Sequence, residues 1–223
     1  MFLKVQPRAS ALGSDLLGHL PSGRHSLTRE AVLASQRGRL LDAMAEAVAE
    51  HGYGDATVAH VVARAGVSRK TFYEHFEDKR DCFLALYDTG IAFVLGRIAQ
   101  DLEGRDEAED RVTTGLRAFL EVLSEEPAFC RAIVLEVHAA GPPALARRRN
   151  VLKVFADRYR EVNAQARAAD PGVAELSDEV ALGLVGAILE LVSIRVEDDR
   201  VEELPSLAEP LAGFVLRNVA ARG

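Results

Sequence analysis

With 223 residues, 48% apolar and 27% charged, the chain has the composition of a globular protein able to bury a sizeable core. Its two cysteines, Cys82 and Cys130, lack CxxC or CxxH spacing, which argues against a disulfide framework or zinc site and for a reducing cytoplasm. The net charge of −7 disfavours a polyanion partner only as an average. Residues 24–80 carry nine basic against eight acidic groups, and residues 81–223 carry sixteen against twenty-five, so a near-neutral head precedes an acidic body.

Taken in chain order, residues 1–23 contain Pro, Gly and Ser without sustained periodicity and read as a flexible arm. They hold no apolar stretch of signal-peptide length. Arg24 and His25 follow, suited either to a minor-groove arm or to a plain tail. A first helix is expected from the cap Thr28 to His51, with Leu40, Leu41, Met44, Ala47 and Val48 as its apolar stripe and Gly52 as its stop. Two short helices follow, over about 58–64 and from the cap Ser68 to His75, joined by Ala65-Gly66-Val67. A fourth, long helix starts at Glu77-Asp78. Beyond an acidic break at 103–110, helices are expected at about 111–124, 128–139, 144–168, 177–197 and 207–221, separated by Pro and Gly. The Val180–Ile194 run is interrupted by Glu190 and falls short of the ~20 apolar residues of a membrane span. Strand patterns are lacking, so the expected fold is all-α with no membrane partner.

The informative segment is Thr57 to Phe76. Gly66 permits a sharp turn between two short helices, and Val58, Val61, Val62, Val67 and Phe72 can pack them together. What remains on the third helix is polar: Ser68, Arg69, Lys70, Thr71, Tyr73 and His75. Free N–H groups at the helix starts suit phosphate oxygens.

The run AGVSRKTFYEHFEDKRDCFLALYD, residues 65–88, resembles the signature of the tetracycline-repressor (TetR) family through Ala65, Gly66, Val67, Ser68, Tyr73, His75, Phe76 and Lys79. His51-Gly52-Tyr53 matches the usual end of that family's first helix. The resemblance spans about residues 36–88. It implies a ligand-responsive repressor that binds a pseudo-palindromic operator as a dimer, with a three-helix helix-turn-helix head over 24–80 and a larger helical ligand-binding and dimerisation body over 81–223. It also implies roles. Thr57 and Ser68 open the two short helices, Thr57 at a phosphate. Arg69, Lys70 and Thr71 face the major groove, where Arg can pair with guanine and Thr can meet a thymine methyl. Tyr73, His75 and Lys79 contact backbone phosphate. Two departures stand out: positions 69 and 70 are both basic, and Glu74 lies near the DNA face. Arg37 and Arg39 are either phosphate contacts or solvated surface.

The body carries no specific motif. Val180, Leu184, Ala187, Ile188 and Leu191, with Leu211, Phe214 and Val215, form apolar stripes on the last two helices. They serve either an internal core or, as the resemblance implies, a four-helix homodimer interface. Phe119, Phe129, Val134, His138, Phe155 and Tyr159 are candidates to line a cavity for a small-molecule inducer, or are simply core. Arg147-Arg148-Arg149 reads as solvated surface or as an attractor for an anionic inducer. No cofactor or metal is expected. A Gly-rich phosphate loop, metal-ligand spacing and a nucleophile motif are all missing, which sets an enzyme aside. The remaining rival is a protein-interaction module, which would lack operator preference and a salt slope of about 0.9 per phosphate contacted.

Overall fold

The computed structural model describes residues 29–222, so the arm over 1–23, Arg24, His25 and the Thr28 cap lie outside the described residues. Nine α-helices are present among them: α1 Arg29–Asp55, α2 Val58–Ala65, α3 Arg69–His75, α4 Lys79–Asp101, α5 Ala108–Glu125, α6 Pro127–Val134, α7 Pro142–Ala169, α8 Asp178–Glu197 and α9 Ala208–Val219. Two 3₁₀ segments, Glu136–His138 and Val201–Leu207, join them. The β pairing among the described residues is a lone antiparallel bridge between Val173 and Arg222. The fold is all-α.

The helices arise where apolar residues recur at helical spacing and end where backbone chemistry stops them. The expected stripe of α1 is buried, with Leu40, Met44, Ala47 and Val48 fully inaccessible. Its helical path breaks at Gly52, whose φ of 73° suits glycine, and one further turn runs to Asp55. At the start of α4, Asp78 accepts from the Asp81 N–H at 2.8 Å, while the Asp81 carboxylate accepts from the Glu77 N–H at 3.1 Å. This reciprocal cap satisfies donors that a helix start leaves open.

Helix α5 starts at Ala108, inside the expected acidic break, and two further elements differ. The helix over 128–139 ends at Val134 and tightens into the 3₁₀ turn Glu136–His138. The Glu136 carboxylate is drawn inward there, accepting the Tyr53 N–H at 2.7 Å. Helix α7 begins at Pro142, because prolines need no N–H in a first turn and so start this helix instead of delaying it.

Helices α1, α2 and α3 form the head, and α4 leads from it into the body. The apolar core is continuous through both, from Leu40 to Val219. Helix α6 packs directly on α1, so head and body meet along more than the α4 connection. Helix α4 is long and apolar enough to match a membrane span, yet Cys82, Phe83, Leu86 and Val94 are buried in the core. Close packing is tightest where Gly90 of α4 meets Phe129 of α6. A Cβ at Gly90 would lie 2.0 Å from that ring. At the far end, buried Asn163 donates to the Ala174 and Val219 carbonyls at 2.9 and 2.8 Å and accepts from the Leu176 N–H at 3.0 Å. Both its N–H donors and its carbonyl oxygen are used inward, which ties the end of α7 to α9.

Candidate nucleic-acid interface and internal cavity

In the head, Thr57 caps α2 by accepting from the His60 N–H at 3.3 Å. Helix α2 ends at Gly66, left-handed at φ 62°, whose N–H returns to the Val62 carbonyl. Ser68 then caps α3, its hydroxyl accepting the Thr71 N–H at 3.0 Å and lying 3.0 Å from the Thr71 hydroxyl. These caps turn α3 back against α2 within three residues.

Phe72 and Phe76 are the inner side of α3, 0% and 3% exposed, in tilted contact with each other. Opposite them, Ser68, Arg69, Lys70, Tyr73 and Glu74 are exposed, and Tyr73 shows 59% of its surface. Thr71 and His75 are half-buried. The Tyr73 ring touches Phe72 edge-on, with 5.3 Å between centroids, yet most of it stays exposed beside two exposed basic chains, which marks a contact surface. Lys70 is loosely paired with Glu74 at 3.9 Å on the helix surface, the residue that had stood out as a departure. Burial and the nearby Arg37 guanidinium hold His75 below the usual histidine pKa, opposed by Glu74.

Three other basic groups are engaged by partners within the head. The Lys79 ammonium donates to the Tyr53 and Gly54 carbonyls at 2.6 and 3.1 Å and sits 4.5 Å from the Tyr53 ring centre. The sequence put this side chain at phosphate; the structure uses it to cap the end of α1. Arg39 donates to the Ala65 carbonyl at 3.1 Å, and the Arg37 guanidinium lies 5.4 Å from the Phe76 ring centre. Both are therefore engaged within the head. Sequence reading missed these roles because their partners are backbone carbonyls and a ring brought near by the fold.

In the body, α4, α5, α7 and α8 enclose an elongated cavity of about 690 Å³, within the usual size range of ligand pockets. Phe119, Val134, Phe155 and Tyr159 line it, as does Tyr87. Burial raises Tyr159 well above the tyrosine range and pushes Tyr87 up to about 12. Two of the expected lining residues are elsewhere. Phe129 is 1% exposed and packs on Gly90, because the glycine leaves room for its ring. His138 is exposed in the 3₁₀ turn. The arginine run divides: Arg147 bridges to Asp88 at 2.9 Å, Arg148 lines the cavity and Arg149 is exposed.

The stripe on α8 also divides into two faces. Leu184 and Ile188 are buried in the chain's own core, as are Leu211 and Val215 of α9, so these four cannot form an outer face. Phe214 is half-buried. Val180, Ala187 and Leu191 are exposed, joined by Ile194 at 38% and by Gly183 and Gly186, above which a Cβ would meet open space. With Leu182 exposed as well, α8 leaves a largely apolar surface uncovered, interrupted by exposed Glu190.

Residues 40–86 match the model of bacterial regulatory proteins of the tetR family. The chain thus carries a TetR-family head. It is a DNA-binding transcriptional regulator, and the family is one of regulators, not enzymes. The chain is 24% identical over 80% of its length to the HTH-type transcriptional activator FasR of Mycolicibacterium smegmatis, covering 80% of that protein. It is 30% identical over 44% of its length to the HTH-type transcriptional repressor AcnR of Corynebacterium diphtheriae, covering 55% of it. In fold, this regulator is similar to FadR from Bacillus subtilis in complex with stearoyl-CoA, with a TM-score of 0.72, 18% identity and coverage of 81% of this chain and 97% of that one.

Proposed function

We propose that this regulator represses transcription in the cytoplasm as a homodimer whose DNA affinity is set by an acyl-chain effector in the body cavity. Helix α3 enters the major groove. Arg69, Lys70 and Thr71 read base edges, while Thr57, Ser68, Tyr73 and His75 hold backbone phosphate. Lys79 acts beneath them by fixing the end of α1. The head spans residues 24–80, and the rest of the chain is the effector and dimer unit. The observation that carries the reading is α3 itself: its apolar side is fully used, and its exposed side offers Arg69, Lys70 and Tyr73 together.

The exposed α8 face, Val180 to Ile194, supplies the dimer contact, with glycines allowing close approach to a second copy. Two heads then reach successive major grooves about 34–36 Å apart. The acyl class is supported by a long apolar cavity and by the stearoyl-CoA complex of the structurally similar FadR. Ile133 and Val134 of the cavity wall precede Glu136, which holds the Tyr53 N–H at the end of α1. A ligand that moves this wall shifts the heads, by no more than its differential affinity for the two shapes.

Anisotropy of a labelled duplex from around the protein's own gene tests this. Hexadecanoyl-CoA or hexadecanoate added to the preformed complex should release the DNA. Binding that neither acyl compound alters would overturn the effector assignment. A reporter that loses expression on deletion of the regulator would overturn the assignment of repression.

A further inference from the structure

Resting on the acyl-chain reading of the cavity, we infer that the effector is a free long-chain carboxylic acid whose carboxylate is held by Arg148 and the Tyr87 hydroxyl. Three arginines line the cavity. Arg111 donates to the Arg105 carbonyl at 2.9 Å, and Arg158 holds both oxygens of Glu161 at 3.1 and 2.8 Å. Arg148 alone of the three has no hydrogen bond or ion pair among the described residues, although it is half-buried on a largely apolar wall. Its natural carboxylate on α4, Asp88, is already occupied by Arg147 through two contacts of 2.9 Å.

A half-buried guanidinium without an anion is costly unless a ligand completes it. Tyr87 is 3% exposed and lines the same cavity, and its hydroxyl also has no hydrogen-bond partner among the described residues. Burial dominates the raised Tyr87 pKa, and Arg148 lowers it while Asp88 raises it, so Tyr87 lies within electrostatic reach of Arg148 and of the Arg147-paired Asp88. A planar guanidinium fork and one hydroxyl donor match the two oxygens of a carboxylate.

Size and charge favour the free acid over a nucleotide-bearing thioester. The Asp88–Arg147 bridge ties α4 to α7 at the level of Arg148, where a small head group fits best. The exposed part of the lining is Gly96, Ala99, Val154, Gln165 and the internally neutralised pair Arg158–Glu161. That surface offers little to the phosphates of coenzyme A. Arg158 lies ten residues beyond Arg148 on α7, about 15 Å along the axis. The aliphatic tail therefore runs from Arg148 along the apolar seam of α4 and α7.

Calorimetric titration with hexadecanoate, hexadecan-1-ol and hexadecanoyl-CoA, on the wild type and on Arg148→Met and Tyr87→Phe, tests the assignment. The wild type should prefer the acid to the alcohol at least tenfold, a preference that needs no variant to read. Arg148→Met should erase it by weakening the acid alone, and Tyr87→Phe should reduce it. An acid bound no better than the alcohol, or both weakened equally by Arg148→Met, would overturn the anchor. Binding of hexadecanoyl-CoA without hexadecanoate would overturn the free-acid assignment and leave the acyl reading standing. Failure of all three compounds to bind would instead overturn the acyl reading itself.

Discussion

The turns of the head are fastened by polar side chains that reach across helices, Arg39 to Ala65 and Lys79 to Tyr53 and Gly54, and by the local cap Ser68 to Thr71. In the body, α4, α5, α7 and α8 meet mainly through apolar side chains around a cavity, with the Arg147–Asp88 and Arg160–Asp178 bridges at the surface and Asn163 as a buried polar staple at one end. Hydrogen bonds fix angles, so the head presents α3 in one orientation. Apolar surfaces fix volume but leave room to shift, which suits a part that must respond to a ligand. Rigidity sits where DNA is read, and adaptable space sits where an effector enters.

That contrast can be broken most forcefully inside the body. Gly90→Val should lower stability by about 3 kcal/mol or more, because the Phe129 ring occupies the space and is itself enclosed. Thermal unfolding reads this, and an unchanged melting temperature would mean that α4 and α6 are not packed as described. In the head, Gly66→Val should cost about 2 kcal/mol from the left-handed backbone and abolish operator binding. Retained binding would show that α3 does not depend on that turn.

A finer division separates the two lysines of the head. Lys79→Met should destabilise by about 1 kcal/mol, since two carbonyls lose a charged donor at a partly solvated site. Lys70→Ala should leave the melting temperature within about 0.5 kcal/mol of wild type. Equal melting temperatures for the two variants would erase the distinction between a positioning and a contacting lysine. The smallest effect concerns His75. Its folded pKa is lowered below the ordinary 6.5, so the fold favours the neutral ring. That contribution is complete above pH 6.5 and is lost as pH falls through the lowered value. His75→Gln should remove this part of the acid dependence of melting; an unchanged profile would assign it to other groups.

The head was more legible in the sequence than the body, for physical reasons. Gly66, Ser68 and Thr57 act within a few residues of themselves, so spacing alone exposes them. Phe72 and Phe76 alternate with Arg69, Lys70 and Tyr73 at helical period, which separates inside from outside. Long-range roles left no local trace: nothing near Lys79 points to Tyr53, and nothing near Glu136 points to the same residue. In the body, apolar spacing marks helices but not what each face meets. Leu184 and Ile188 looked equivalent to Val180 and Leu191, although the first pair is core and the second is exposed. Phe129 resembled Phe119 until Gly90 supplied its socket. Arg148 stood undistinguished within a triplet until the fold turned Arg147 to Asp88.

The most direct test is a salt-titrated mobility shift on DNA from around the protein's own gene, comparing the wild type with Lys70→Ala. The expected result is a sequence-selective shift that weakens steeply with salt, the slope falling by about 0.9 in the variant if that lysine neutralises one phosphate. Absence of a selective shift at low salt from a folded dimer, or an identical affinity and slope in both proteins, would contradict α3 as the reading surface.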